Sequence, residues 1–177
     1  MFRFALATAL LLPVSAFAAG SYDSGPPKTT KTTKACTASQ IWDKKTKSCV
    51  DAKESRFNDD TRYDAARELA YVGRYDDALN VLAAMSDQKQ SRVLTYYGFT
   101  HRKAGRTDLG MTYYAAALKA DPDNILARSY MGQGLVEAGE YKAAFTQLAE
   151  IRARGGAGTW PEQALAQAIT SGKTYNY

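Results

Sequence analysis

A short segment built around a glycine occurs three times between residues 70 and 144, and its spacing constrains the fold more than any other feature of the chain. The three glycines are Gly73, Gly105 and Gly139, so the intervals are 32 and 34 residues. The residue five positions after each glycine is always small: Ala78, Gly110 and Ala144. Self-similarity at a period of this length predicts an array in which one unit of secondary structure is repeated and stacked.

Each of these glycines separates two amphipathic helical patterns. Around Gly105 the residues that share a helix face are Leu94, Tyr97, Gly98 and His101 before the glycine, and Gly110, Tyr114, Ala117 and Leu118 after it. A glycine in this position is typical of a helix C-terminus, where the left-handed backbone conformation is easiest without a β-carbon. Pro122 then ends the second helix, because proline cannot continue it. The pattern therefore predicts a helix-turn-helix unit in each copy.

This arrangement resembles the tetratricopeptide repeat: a period near 34 residues, a glycine between two helices, a small residue after it and a proline at the end. The resemblance covers about residues 57–153, with repeats at about 57–90, 91–124 and 125–158. The middle copy fits the pattern best. The third copy has Gly156 in place of the proline, and the first lacks the proline and is two residues short.

A further helix is expected after the third copy. Thr159-Trp-Pro-Glu162 has the form of a capping box with proline in the first turn, and it predicts a helix over residues 160–171 that covers the last repeat. The expected fold class is therefore all-α. It is a short right-handed α-solenoid of three helix-turn-helix repeats with a capping helix, as the resemblance implies, forming a tetratricopeptide-repeat domain over residues 57–177.

The first 18 residues have the organisation of a secretory signal peptide. Arg3 precedes an apolar stretch from Phe4 to Val14, and Ala16-Phe17-Ala18 has the small-x-small form that signal peptidases cut after. The apolar stretch is shorter than the roughly 20 residues that a transmembrane helix needs. We therefore expect a signal peptide over residues 1–18, cleavage after Ala18, and a mature chain that is periplasmic or secreted.

Two short segments separate the predicted signal peptide from the repeats. Residues 19–35 combine Gly, Ser, Pro, Thr and Lys with one aromatic residue, which predicts a disordered linker. Cys36 and Cys49 are expected to form a disulfide in an oxidising compartment and to close a small hairpin over residues 36–50, with Trp42 as its main apolar contact. Two roles for this hairpin stay open, a structural clip or a glycan contact through Trp42. The lysines of the linker can also attract anionic membrane or wall polymers weakly.

The sequence does not indicate an enzyme. It has no Gly-x-Ser-x-Gly motif, no His and Cys cluster with metal-ligand spacing and no cysteine outside the predicted disulfide. We expect no catalytic residue, no metal and no cofactor. His101, the only histidine, falls at a packed position of the repeat, which predicts a hydrogen-bonded imidazole in the helical body. The excess of basic residues lies before residue 54, so a nucleic-acid partner is not expected either.

The expected function is binding of another protein. In the family that the repeats resemble, the first helix of each pair lines a concave groove that holds an extended peptide or a helix of a partner. The positions that correspond to this groove are Tyr63, Arg67 and Tyr71 in the first copy, Arg92, Thr95, Phe99, Arg102 and Lys103 in the second, and Ser129, Gln133 and Glu137 in the third. We therefore expect a non-catalytic scaffold for another envelope or secreted protein, with the oligomeric state left open. The alternative is binding of envelope glycan or anionic polymer through the Lys-rich linker and Trp42.

Overall fold

The computed structural model describes residues 25–174, so the predicted signal peptide lies outside the described residues. Within this range the chain forms eight helices and one two-stranded antiparallel hairpin. The elements are α1 Lys31–Ala35, β1 Gln40–Asp43, β2 Ser48–Asp51, α2 Asp59–Tyr71, α3 Tyr75–Ala83, α4 Ser91–Lys103, α5 Thr107–Ala120, α6 Ile125–Glu137, α7 Tyr141–Ala153 and α8 Trp160–Ser171. The predicted helical architecture with a short hairpin is confirmed. None of the helices in the described part is long and apolar enough to cross a membrane.

Consecutive helices form pairs, and the first helices of the pairs contact one another. α2 packs on α3, α4 on α5 and α6 on α7, while α2 contacts α4, α4 contacts α6 and α6 contacts α8. We call α2, α4 and α6 the inner row. The turn between the two helices of each pair contains one of the three repeated glycines.

These turns have the geometry that the glycine pattern predicts. Gly73, Gly105 and Gly139 have φ angles of +82°, +82° and +76°. After the first of them, the N–H of Arg74 donates to the carbonyl of Leu69 at 2.9 Å, and Gly73 itself donates to Ala70 at 3.2 Å. This pair of bonds defines a Schellman motif, which satisfies carbonyls that the end of a helix leaves without partners. The position of each helix end is therefore set by local sequence.

The hydrophobic core is continuous from the hairpin to the inner row. It begins at Ile41 and Phe57, passes through the buried faces of α2, α3 and α4, and reaches Tyr130 on α6. Two smaller clusters join α6, α7 and α8. Because Ile41 and Phe57 belong to the main cluster, the hairpin is part of the same folded body as the helices.

The disulfide between Cys36 and Cys49 is present, as the sequence predicts. Cys49 pairs with Trp42 across the hairpin, and Cys36 is buried. Two arginines hold the chain on either side of the hairpin by its backbone. Arg62 donates from Nε to the carbonyl of Ala52 at 2.8 Å, and Arg74 donates from Nη1 to the carbonyl of Cys36 at 2.9 Å. We call residues 30–54 the N-terminal module.

The prediction of disorder over residues 19–35 is wrong at residues 31–35, while residues 19–24 lie outside the described residues. Residues 31–35 form α1, and the Glu68 carboxylate on α2 holds the start of this helix. It accepts from the Thr30 hydroxyl at 2.7 Å and from the Thr33 N–H at 3.3 Å, and further from the Thr30 N–H and the Thr33 hydroxyl. Composition suggested disorder because it reflects only the segment's own apolar surface. The ordering comes from hydrogen bonds to a buried carboxylate about 35 residues away, as the Thr33 contact shows.

Replacing Glu68 with alanine is expected to release the N-terminal module. A carboxylate that accepts several hydrogen bonds contributes about 1.5–3 kcal/mol for each charge-assisted bond, so its loss exposes the chain around α1. We expect trypsin to cleave after Lys31 and Lys34 about tenfold faster in Glu68→Ala than in the unchanged protein, measured by mass spectrometry over time. Asp64→Asn, at an exposed carboxylate one turn earlier on α2, is the matched control. Equal cleavage rates in all three proteins contradict the role given to Glu68.

Candidate partner-binding site

The eleven residues predicted to line a groove all lie on the inner row, but the structure divides them among five environments. Tyr63, Tyr71 and Phe99 are in the core, and Arg92 and Thr95 line an open cavity. The remaining residues lie in a charged cluster, against α8 or under the start of the described chain. The prediction that all of them form one open groove is therefore wrong for most positions, and each environment has a different physical cause.

The middle of the inner row is a packed aromatic layer. Tyr71 stacks on Phe99 with ring centres 5.1 Å apart, and Tyr63 meets Tyr96 edge-on at 5.4 Å. The hydroxyl of Tyr71 is hydrogen-bonded to that of Tyr130, and burial raises the pKa of Tyr130 well above its usual range. Large rings at neighbouring helices fill the space between them, as aromatic side chains do in cores. Tyr63, Tyr71 and Phe99 are thus mainly structural, contrary to the prediction of a partner contact.

Arg67 lies beside this layer and binds another part of the chain. Its Nε donates to the hydroxyl of Tyr96 at 3.0 Å, and its Nη2 donates to the backbone carbonyl of Gly25 at 2.7 Å. The side chain is 5% exposed. The segment that precedes α1 therefore reaches the inner row at this point and covers the guanidinium that sequence reasoning placed in the groove.

An open polar cavity of about 640 Å³ lies where the N-terminal ends of α4 and α6 meet α2. It is lined by Asp60, Tyr63, Lys89, Gln90, Ser91, Arg92, Thr95, Ala120, Asp121, Asn124 and Leu126. Arg92 pairs with Asp60 at 2.7 Å, and its guanidinium lies 4.9 Å from the ring centre of Tyr63. We call this space the polar cavity. It brings together Tyr63, Arg92 and Thr95 from the predicted groove.

Sequence reasoning missed Asn124, which organises one wall of the polar cavity. Its side-chain amide donates to the hydroxyls of Ser91 at 2.7 Å and Thr95 at 3.1 Å, and its oxygen accepts from the N–H of Ala127 at 2.9 Å. Asn124 is the N-cap of α6. The signal was present, because an asparagine just before a helix is a typical N-cap and the start of an inner helix faces the same end of the row.

A charged cluster lies at the opposite end of the inner row. Arg102 donates from Nη1 to Glu137 at 2.6 Å, and Lys103 Nζ lies 4.0 Å from the same oxygen. The Thr174 hydroxyl also donates to Glu137. Burial raises the pKa of Glu137, but the attraction of Arg102 outweighs it and the net pKa falls. Burial together with repulsion from Arg102 lowers the pKa of Lys103 to about 8.

The lowered pKa of Lys103 predicts a rise in stability on the alkaline side. Between about pH 8 and 10 the ammonium loses its proton in the folded state but keeps it in the unfolded state, whose pKa is near 10.5. At this residue the unfolded state then binds more protons, so the free energy of unfolding increases by about 1 kcal/mol up to pH 9, before unfolded-state tyrosines begin to lose their protons near pH 10 and oppose the rise. Urea unfolding at a series of pH values measures this rise. It should disappear in Lys103→Met and persist in Lys119→Met, which alters an exposed lysine of α5. A flat profile in the unchanged protein contradicts the environment assigned to Lys103.

Ser129 and Gln133 lie against the terminal helix. The Ser129 hydroxyl donates to the carbonyl of Pro161 at 2.7 Å, and the Gln133 amide donates to Ser129 at 3.4 Å. Both side chains are buried. α8 spans the residues at which the sequence predicts a terminal helix, and it occupies the face that the groove prediction left open for a partner.

A second cavity, of about 620 Å³, lies between the N-terminal module and α2. Its lining residues are Thr30, Lys31, Thr32, Ile41, Trp42, Lys44, Lys47, Thr61, Asp64, Ala65 and Glu68. The Lys31 ammonium lies 4.6 Å from the centre of the Trp42 ring, a cation–π contact. We call this space the Trp42 cavity. It combines an aromatic wall with three lysines.

His101 packs between the two helices of the second pair, against the rings of Tyr97 and Tyr113. Within residues 25–174 no three His, Cys, Asp or Glu side chains are grouped so that they could hold a metal ion. The His101 ring stacks on Tyr113 at 5.3 Å and accepts a hydrogen bond from Arg106 at 2.8 Å, and burial lowers its pKa. The imidazole is therefore packed and hydrogen-bonded, as the repeat pattern predicts, although it remains partly exposed.

Comparison with known proteins gives no match, so the interpretation of the chain rests on the geometry of the inner row and its cavities. No protein-family model matches the chain, and neither a curated protein nor a solved structure is similar to it at a significant level. The polar cavity and the Trp42 cavity both combine charged and aromatic side chains, and both contain or adjoin residues that the sequence singles out. They are therefore the surfaces from which a function can be argued.

Proposed function

We propose that this chain is a non-catalytic scaffold of the cell envelope that holds a segment of another exported protein along its inner row. In this proposal the three helix pairs form a right-handed solenoid of the tetratricopeptide-repeat kind, and the chain is exported after cleavage near Ala18. The support is the repeated pairing of helices, the Schellman turns at Gly73, Gly105 and Gly139, and the contacts that connect α2, α4, α6 and α8 in order.

The polar cavity is the observation that carries the proposal. Its volume of about 640 Å³ lies in the range of cavities that accept ligands, and it opens on the inner row. Arg92 is of a side-chain type that often dominates protein interfaces, and its guanidinium is held against the ring of the buried Tyr63. Lys89 is exposed, and Gln90 and Asp121 are partly exposed, so both charges and an amide are accessible to a peptide. A short extended segment that offers hydrogen-bond donors and acceptors fits this chemistry, because the lining includes Asp60 and Asp121 as well as Lys89 and Arg92.

The second candidate function is binding of an anionic glycan or polymer in the Trp42 cavity. The specific observation in its favour is that Lys31, Lys44 and Lys47 line the same 620 Å³ space as the half-buried indole of Trp42. Three ammonium groups attract a polyanion, and this attraction decreases steeply with salt. The hydrogen-bonded attachment of the module to α2 also fits a purely structural clip, so the peptide scaffold is the leading proposal.

Affinity capture separates the two candidates. The mature chain 19–177 is used as bait on an envelope extract of the source cell, and retained proteins and polymers are identified by mass spectrometry. Arg92→Ala should lose the retained protein, because it removes the guanidinium of the polar cavity. Arg152→Ala is the matched control, since Arg152 forms an exposed pair with Glu162 at 2.6 Å away from both cavities.

The outcomes differ for each candidate. Retention that survives in Trp42→Ala and is lost in Arg92→Ala supports the peptide scaffold. Retention of a polymer that is lost in Trp42→Ala, or when the salt concentration is raised, supports the Trp42 cavity instead. Equal retention by Arg92→Ala and Arg152→Ala overturns the assignment of the polar cavity as a partner site.

A further inference from the structure

The segment that precedes α1 crosses α2 and is held at both of its ends. At one end the backbone carbonyl of Gly25 accepts a hydrogen bond from Arg67 at 2.7 Å. At the other end the hydroxyl of Thr30 donates to Glu68 at 2.7 Å. Arg67 and Glu68 are adjacent on α2, so the segment passes from the side of the N-terminal module to the inner row.

We propose that residues 25–29, Gly-Pro-Pro-Lys-Thr, are a built-in ligand of the inner row, and that a partner segment must displace them in order to bind at Arg67. This inference rests on the proposed peptide-binding function and makes it more specific. It assigns the partner a chemistry: an extended, proline-containing segment that presents a backbone carbonyl to the Arg67 guanidinium.

The contact at Arg67 is of a kind that any peptide can form. The acceptor is a main-chain oxygen, so the guanidinium recognises the path of a backbone and no particular side chain. The Arg67 side chain is 5% exposed, so its guanidinium is shielded from water. The hydrogen bond from Arg67 Nε to the Tyr96 hydroxyl fixes the orientation of the guanidinium. A hydrogen bond of a buried charged donor to a carbonyl contributes more than a neutral one does.

The two prolines explain why this segment can occupy the site. Proline fixes φ near −65° and has no N–H, so Pro26 and Pro27 favour an extended conformation that loses little entropy on docking. Neither residue needs a hydrogen-bond acceptor for an N–H group. Proline-rich segments are recognised in grooves for the same reason. Pro27 is half-buried, which agrees with a docked segment.

The anchor at Glu68 makes this occupation reversible. Thr30 and Thr33 stay attached to Glu68 when residues 25–29 leave Arg67, so the segment can detach without releasing the module. Its tether gives it an effective concentration in the millimolar range. An external segment that binds at the same place must compete with the resident segment. The apparent dissociation constant of the external segment is then its intrinsic dissociation constant divided by the fraction of molecules in which the site is open.

The test uses the segment itself as a probe. A synthetic peptide with the sequence of residues 19–30, AGSYDSGPPKTT, is titrated into the mature chain and into the double variant Pro26→Gly with Pro27→Gly. The backbone amide NMR signals of α2, which are present in every variant, report binding. Glycine lowers the affinity of the resident segment by making it more flexible. The peptide should therefore bind the double variant about tenfold more tightly than the unchanged chain.

Two controls define the site. Adding Arg67→Gln to the double variant should abolish binding, whereas adding Arg152→Gln, at the exposed ion pair with Glu162, should leave it unchanged. A control peptide in which both prolines are glycine should bind more weakly than the natural sequence. If Arg67→Gln impairs folding, the comparison of the two peptides on the double variant still decides the question.

The result that overturns the inference is equal binding of the peptide to the unchanged chain and the double variant, or no saturable shift in either up to about 5 mM. The capture experiment is independent of this result. Saturable peptide binding with no captured protein would reject the proposed function and keep the built-in ligand. A captured protein whose retention is the same in the Pro26→Gly, Pro27→Gly variant would keep the function and reject the built-in ligand.

Discussion

Replacing Tyr130 with alanine is expected to lower the free energy of unfolding by about 3–5 kcal/mol, the range found for removing large buried aromatic side chains. Tyr130 is 1% exposed. The centre of its ring lies 4.8 Å from that of Phe99, 6.1 Å from that of Tyr96 and 6.3 Å from that of Trp160. It thus joins α4, α6 and the start of α8. Alanine leaves a cavity among three helices and removes the hydroxyl that is hydrogen-bonded to Tyr71.

Two further variants separate the ring from the hydroxyl and the core from the surface. Tyr130→Phe keeps the ring but leaves the buried Tyr71 hydroxyl without this partner, so we expect a loss of about 1 kcal/mol. Tyr141→Ala removes the same side chain from a position that is 42% exposed, and its effect should be less than about 1 kcal/mol. Urea unfolding followed by circular dichroism gives all three values. Similar losses for Tyr130→Ala and Tyr141→Ala contradict the packing described.

The second large effect is expected at Gly110, where the backbones of α4 and α5 lie close together. A β-carbon at this residue would lie 2.8 Å from the carbonyl oxygen of Gly98 and 3.0 Å from the backbone nitrogen of Arg102. These are backbone atoms, so the two helices must move apart. We expect Gly110→Ala to lower the free energy of unfolding by about 2–3 kcal/mol, even though alanine favours a helix by about 1 kcal/mol.

Gly134→Ala is the matched control for this substitution. Gly134 is also a helical glycine, but the atoms nearest to its β-carbon would be side-chain atoms, Arg102 Cδ and Met111 Sδ, each at 3.0 Å. Side-chain atoms yield more readily than backbone atoms, and the gain in helix propensity offsets part of the crowding, so we expect a loss below about 1 kcal/mol. Denaturant midpoints of the two variants measured side by side test the comparison. An effect of Gly110→Ala no larger than that of Gly134→Ala argues against the close helix contact.

The features that the sequence predicts well are those with a local cause. A glycine with positive φ ends a helix wherever the surrounding chain is placed, which explains why Gly73, Gly105 and Gly139 locate the helix pairs. The disulfide followed in the same way from the presence of two cysteines and no others. The start of α8 at Trp160 similarly follows from Pro161 in its first turn, although Thr159 at the N-cap makes no side-chain capping bond.

The features that the sequence did not predict depend on packing between distant segments. Periodicity correctly assigned Tyr71 and Phe99 to the inner row, but it could not tell that they stack on each other and close the middle of the face. It also could not tell that Glu68 would bind Thr30 and Thr33, because nothing in the spacing of these residues connects them. The tertiary arrangement decides which side chains are buried and which residues they contact. A helical period specifies only which residues share one face of a helix.

The attachment of the N-terminal module has a consequence for how the chain can change during evolution. Arg62 and Arg74 donate hydrogen bonds to backbone carbonyls of the module. Glu68 accepts hydrogen bonds from two backbone N–H groups and from two hydroxyls. Because main-chain atoms are common to all sequences, the module can acquire new side chains around Trp42 without losing its attachment. Relatives of this chain are therefore expected to keep the three charged residues on the helical side while the hairpin surface diverges, which would let one helical frame acquire different surface chemistries.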